Sequence, residues 1–131
     1  MPIAMRWYDD SHTIIYCEVF EKLTIEDMNQ IADEHNALAE TVNHTVHFII
    51  DWLHCEGVPS NVLTHARGLL LNRQHPRSGI TLLVGMRFEL RIFWGAFERA
   101  FRYLIKSPKF LMAESLEKGY PLLLQSIRGA A

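Results

Sequence analysis

The stretch from His47 to Ser60, HFIIDWLHCEGVPS, constrains this chain most. Phe48, Ile49, Ile50, Trp52 and Leu53 form a nearly continuous apolar run, interrupted only by Asp51. A short run so rich in β-branched and aromatic residues predicts a strand buried on both faces. Gly57 and Pro59 stop it, and Ser60 is placed to cap a following helix. A buried strand that ends in a polar loop and feeds a helix is where open α/β sheets usually carry their working groups. Asp51, His54, Cys55, Glu56 and Ser60 are therefore the first candidates for binding or regulation.

The remaining segments arrange themselves around that strand. Met5 to Tyr8 and Thr13 to Phe20 (TIIYCEVF) predict an antiparallel hairpin joined by a loop of about four residues. Thr24 is a good N-cap, with Asp27 three residues on in the position of a capping box. The helix after it puts Ile25, Met28, Ile31, Ala32, His35, Leu38, Ala39 and Val42 on one stripe, the spacing of an amphipathic helix lying on a sheet. His35 falls within this stripe and reads as a satisfied, partly buried histidine rather than a ligand or base. A second helix is expected from Ser60 to Gln74, ended by HPRSG, and a second central strand from Ile80 to Val84.

Phe88 to Ile105 predicts a third helix, with Leu90, Phe93, Trp94, Phe97, Ala100, Phe101 and Leu104 toward the sheet. Phe88, Ile92 and Tyr103 fall outside that stripe, so the helix is apolar over more than one face. Apolar surface left over in this way marks an interface or a lid over an apolar ligand. A last strand (KFLMA) and a helix from Leu116 to Ile127 capped by Ser115 complete the order, with a kink or break expected at Pro121. The predicted class is α/β: a single domain over residues 1–131, with a mixed sheet of four to five strands, an opening antiparallel hairpin and four packed helices.

Bulk properties exclude more than they assign. With 131 residues, 49% hydrophobic and 21% charged, the chain fits one globular domain rather than a disordered one. A net charge of −2 gives no reason to expect a nucleic-acid partner. No apolar run approaches the roughly 20 residues that span a bilayer, and MPIAMRWYDD lacks the layout of a signal peptide, so a cytoplasmic location is expected. Charge is uneven: Glu26 to Glu40 holds no Lys or Arg, whereas Arg67 to Lys109 is mostly basic, which usually means solvated faces. Cys17 and Cys55 are too few for a disulfide framework, and Cys17 reads as a small buried residue.

No recognised catalytic motif is present. Neither a glycine-rich phosphate loop nor a G-x-S-x-G elbow occurs. His44 and His47 are three apart, and side chains three apart on a strand point to opposite faces. His54, Cys55 and Glu56 are potential ligands, but consecutive residues rarely converge on one ion. Cys55 and His54 do not read as a nucleophile and its base, since adjacent side chains seldom pair so. Asp51 needs hydrogen-bond partners inside its apolar run, and the N–H groups of the Gly57 to Ser60 turn are the expected ones. No catalytic residue, metal set or cofactor is assigned.

The element order, the helix begun by LTIEDM, the strand HFIIDWL and the closing KFLMAESLEKGYPLLL resemble the STAS superfamily, the domain of sulphate transporters and anti-sigma-factor antagonists. More particularly the chain is similar to the small stand-alone SpoIIAA-like proteins of bacteria. That resemblance implies a non-enzymatic regulatory or protein-interaction module with an unidentified protein partner, and the surplus apolar face of the helix Phe88 to Ile105 makes a homodimer the expected state. In the antagonist branch the strand carries an Asp, and about nine residues later a Ser that caps the next helix is phosphorylated; Asp51 and Ser60 hold that spacing, although Pro59, Asn61 and Val62 replace the usual surroundings of the Ser. Interface or lid residues would be Phe88, Ile92, Phe93, Trp94, Phe97 and Tyr103. A carrier of a lipid or other small apolar ligand is the alternative, and a metal- or thiol-dependent enzyme using residues 54–56 the second alternative.

Overall fold

The computed structural model describes residues 3–62, 64–65, 68, 75–100 and 110–130; within 88–100 the side chains of 89, 93, 96–98 and 100 lie outside the description. Five strands, β1 (Ile3–Trp7), β2 (Ile14–Lys22), β3 (Val46–Gly57), β4 (Ser78–Val84) and β5 (Phe110–Ala113), form one sheet in the order β1-β2-β3-β4-β5. β1 pairs antiparallel with β2, and the pairs β2–β3, β3–β4 and β4–β5 are all parallel. Three helices are laid out: α1 (Ile25–Ala39), α2 (Phe88–Ala100) and α3 (Leu116–Ala130).

The expected mixed sheet is present with five strands, but the expected total of four helices is not matched among the described residues. The missing one was placed at 60–74, most of which falls outside them, although Val62, Thr64, His65 and Gly68 are helical. The hairpin pairs Ile3 with Val19 and Trp7 with Ile15, and its connection is closed by Asp9, which accepts from the backbone N–H groups of Thr13 (2.9 Å) and Ile14 (3.0 Å) and from the Thr13 hydroxyl. Burial works against ionisation, yet these three donors hold the Asp9 carboxyl below the usual carboxylate range.

Because the parallel strands follow one another in a single direction, right-handed crossovers place the described connecting helices, α1 and α2, on the same face of the sheet. Ile15, Cys17, Val19 and Phe48 meet α1 there through Met28, Ile31 and Ala39, and Val62 and Trp94 pack against the same cluster. The C-terminal helix is free of that constraint and covers the opposite face, where Leu123, Leu116, Tyr120 and Ile127 pack on Ile14, Tyr16, Ile49, Leu82 and Val84. Alternation along the strands supplies both cores: Ile14 and Tyr16 look one way, Ile15 and Cys17 the other.

The helix ends follow local chemistry. Thr24 and Asp27 form the expected capping box. Ser115 Oγ accepts from the Lys118 N–H at 3.2 Å, and α3 runs through Pro121 without the break anticipated there. His35 is buried, set against Phe48 with its Nδ1 3.1 Å from Asn36 Oδ1, and burial lowers its pKa below the ordinary histidine value. His75, also buried, accepts the Arg77 N–H at Nδ1 (3.0 Å), so its proton sits on Nε2 and is donated to Glu40 at 2.6 Å. That bond ties the end of α1 to the segment entering β4. No helix among the described residues is long and apolar enough to cross a membrane.

Candidate functional site

All four parallel strands end on one side of the molecule, and the candidate residues lie there because β3 outruns its neighbours. Its pairing with β2 is irregular twice. Glu18 faces Asp51 and Phe20 faces His54, so β3 carries an extra residue; Glu21 faces Cys55 and Lys22 faces Gly57, which adds another. Such bulges bend a strand and re-aim its side chains. Trp52 and Cys55, three apart, would face opposite ways on a regular strand. Here both belong to the core on the α1 side.

Asp51 makes the first bulge possible. Its Oδ1 accepts from the Leu53 N–H at 3.0 Å, and its Oδ2 accepts from the Tyr16 hydroxyl at 2.6 Å. The anticipated bonds from the Gly57 to Ser60 turn are therefore replaced by one donor from the bulge and one from β2. A bulge frees an N–H from the ladder, and a carboxylate two residues earlier is in reach of it. Arg6 lies 4.7 Å from the Tyr16 ring centroid and pairs with Glu18 at 3.5 Å, completing a polar row on the α3 side. Burial first, and then the bond to Asp51, push the Tyr16 phenol well above its ordinary pKa.

Tyr16→Phe is expected to lower stability by about 1–2 kcal/mol, the cost of leaving a half-buried carboxylate oxygen unpaired. Urea unfolding followed by far-ultraviolet circular dichroism measures it. A loss below about 0.5 kcal/mol, the level of an ordinary surface change, would show that the bond does not hold the bulge.

The other candidates separate rather than converge. His54 is exposed and stacks on Phe20, with ring centroids 6.2 Å apart. Cys55 is buried, and its Sγ donates to the Gly57 carbonyl at 3.3 Å, the same oxygen that accepts the Leu23 N–H. Glu56 is exposed, and its carbonyl accepts from Arg87 Nη1 at 3.4 Å. Among the described residues no three His, Cys, Asp or Glu side chains stand close enough to hold a metal ion. His44 donates to the Thr45 carbonyl and His47 Nδ1 accepts the Ile80 N–H, so that pair does not meet either.

Ser60 is exposed and precedes the helical turn by one residue more than expected. Val62 is the first helical residue, and the His65 N–H donates to the Asn61 carbonyl, so Asn61 rather than Ser60 stands at the cap position. Of the expected interface residues, Phe88 and Ile92 are 65% and 56% exposed, and Trp94 packs inward, edge-on to Phe110 at 5.2 Å. Tyr103 lies outside the described residues, as do the side chains of Phe93 and Phe97.

What the structure does assemble is a pocket of about 330 Å³ on the α1 side of the sheet. It is lined by Trp52, Cys55 and Gly57 of β3, by Val58, Pro59, Ser60 and Val62 of the segment that follows, and by Arg87 and Leu90. The indole Nε1 of Trp52 is buried and makes no hydrogen bond. Arg87 and Leu90 belong to the β4–α2 turn and α2, and reading the sequence did not single out Arg87. A signal was available: in a parallel sheet the residues after β4 occupy the same end as those after β3, so the first cation beyond Gly85 was a candidate. Gly85 sets that turn with φ +70°, a conformation suited to glycine.

No protein-family model matches the chain, and no curated protein does. Solved structures do. An uncharacterised protein of the DUF3478 family with a SpoIIAA-like fold, from Shewanella loihica PV-4, superposes with a TM-score of 0.60 at 18% identity, covering 92% of this chain and 93% of that one. The anti-sigma factor antagonist SpoIIAA in its unphosphorylated form gives a TM-score of 0.55 at 15% identity, over 96% of this chain and 99% of that one. The resemblance expected from the sequence holds at the level of architecture: this chain has the SpoIIAA-like fold.

Proposed function

We propose that this chain is a regulatory binding module that acts without covalent chemistry. In this reading the bulged end of β3 and the segment to Ser60, with Asp51, His54, Cys55, Glu56 and Ser60, recognise a protein partner. The neighbouring α2 joins two copies through Phe88 and Ile92, extended by Phe93, Phe97 and Tyr103, whereas the inward-packed Trp94 supports it from the core side. Support for a regulatory role comes from the fold shared with an anti-sigma factor antagonist. The observation that carries the interface is the pair Phe88 and Ile92, one helical turn apart and both more than half exposed. Two large apolar side chains on one solvent-facing stripe lower the free energy by being covered.

Native mass spectrometry tests this directly. The wild-type chain is expected at twice the monomer mass, and the double change Phe88→Ser, Ile92→Ser at the monomer mass, since losing two anchors removes several kcal/mol from an interface. A monomeric wild type, or a double variant that stays dimeric, would overturn the self-association reading.

The pocket favours a second reading, a carrier of a small apolar ligand. Its walls are mostly apolar and its volume sits at the small end of the roughly 300–1,000 Å³ that ligand sites span. The same spectrum reports this: added mass of a few hundred daltons on the native protein, lost on denaturation, is the expected sign of a retained ligand.

A further inference from the structure

The pocket is not uniformly apolar, and the one cationic residue among its described lining defines what it would hold. Trp52, Val58, Pro59, Val62 and Leu90 supply apolar surface, and Arg87 lines the pocket beside them. Arg87 is exposed, and the contact it makes is a 3.4 Å bond from Nη1 to the neutral carbonyl of Glu56. Among the described residues no carboxylate is paired with it. A guanidinium has five donors in a planar fork that matches a carboxylate, and one long bond to a carbonyl leaves most of them available. The Arg87 carbonyl also accepts the first helical bond of α2, from the Arg91 N–H at 2.9 Å. The guanidinium therefore springs from the positive end of the α2 dipole, which adds to its attraction for an anion. Among the described residues that line the pocket, the exposed Ser60 adds a hydroxyl and Arg87 is the charged side chain.

We propose that this pocket binds a small apolar carboxylic acid, aryl or short-chain acyl, with its body against Trp52, Val62 and Leu90 and its carboxylate on Arg87. The proposal rests on the second reading above and adds the chemical class of the ligand. Volume argues for a single ring or one short chain rather than a two-chain lipid, because about 330 Å³ is near the lower limit for ligand sites. Placing the charge at the rim keeps it partly hydrated while the apolar body is desolvated, which avoids the penalty of burying a carboxylate outright.

Isothermal titration calorimetry with octanoate and its neutral counterpart octanamide tests the assignment. The wild-type chain is expected to bind octanoate at least tenfold more tightly than octanamide. Arg87→Gln, a change at an exposed side chain, is expected to abolish that preference and leave octanamide binding unchanged. Ser60→Trp, which fills the rim from an exposed position, is expected to remove both. Equal affinity of the wild type for the two probes, or a preference that survives in Arg87→Gln, would overturn the acid assignment and leave the apolar carrier standing. Absence of binding by either probe, or binding undisturbed in Ser60→Trp, would overturn the pocket itself and the carrier reading with it.

Discussion

Gly85→Val is expected to destabilise the protein by about 3 kcal/mol, because it combines a left-handed backbone with an occupied space. At φ +70° a β-branched residue is an outlier, and a Cβ built there would lie 3.1 Å from both Cα and N of Leu53. Those are backbone atoms of the β3 bulge, so neither can swing aside as a side-chain tip would. The Gly85 N–H donates to the Ala113 carbonyl at 3.0 Å, which fixes the turn to β5 as well. Relief of the clash must therefore displace the bulge, the β4–α2 turn, or both, and Arg87 is two residues away. Equilibrium urea unfolding is the measurement, with the octanoate titration as its functional companion. A loss under about 1 kcal/mol would mean that the turn adapts freely and that Leu53 is not braced by it.

That coupling explains why the fold was more legible than the site. The strands could be read because Phe48 to Ile50 and Ile80 to Val84 are apolar runs of strand length, and the capping box at Thr24 is a local signal between residues three apart. His35 could be read as a buried, satisfied histidine from helical periodicity alone. The site depends on relations that no local window contains. Tyr16 and Asp51 are 35 residues apart, and their bond arises because β2 and β3 are parallel neighbours in register. Bulges are invisible to a two-residue period, so that Trp52 and Cys55 share the α1 side is not legible from their spacing. The loop candidates His54, Cys55 and Glu56 were selected by adjacency, which on a pleated strand means divergence. Of the three only Cys55 lines the pocket, and the charge comes from the next strand's turn through Arg87.

Leu82→Ala is expected to cost about 3 kcal/mol, within the range of buried leucine truncations. Leu82 is fully buried in β4 and packs in the cluster under α3. The groove it fills has a matching absence of side chain at Gly119. A Cβ there would lie 3.0 and 3.2 Å from the two Leu82 Cδ atoms and 2.9 Å from Ala113 Cβ. Gly119→Ala alone sets a gain in helix propensity of about 1 kcal/mol against larger crowding from Ala113 Cβ and Leu82, and a net loss of about 1 kcal/mol is expected. In the Leu82→Ala background the crowding from the leucine is gone while the propensity gain remains. The Ala113 clash remains, so the double variant should lose about 1 kcal/mol less than the sum of the two single losses, a favourable coupling that a double-mutant cycle resolves. Strict additivity would show that α3 does not seat on Leu82 through Gly119. A positive cycle ties the α3 face to the same strand whose end carries Gly85 and Arg87, so the support of the pocket extends through β4 to both faces of the sheet.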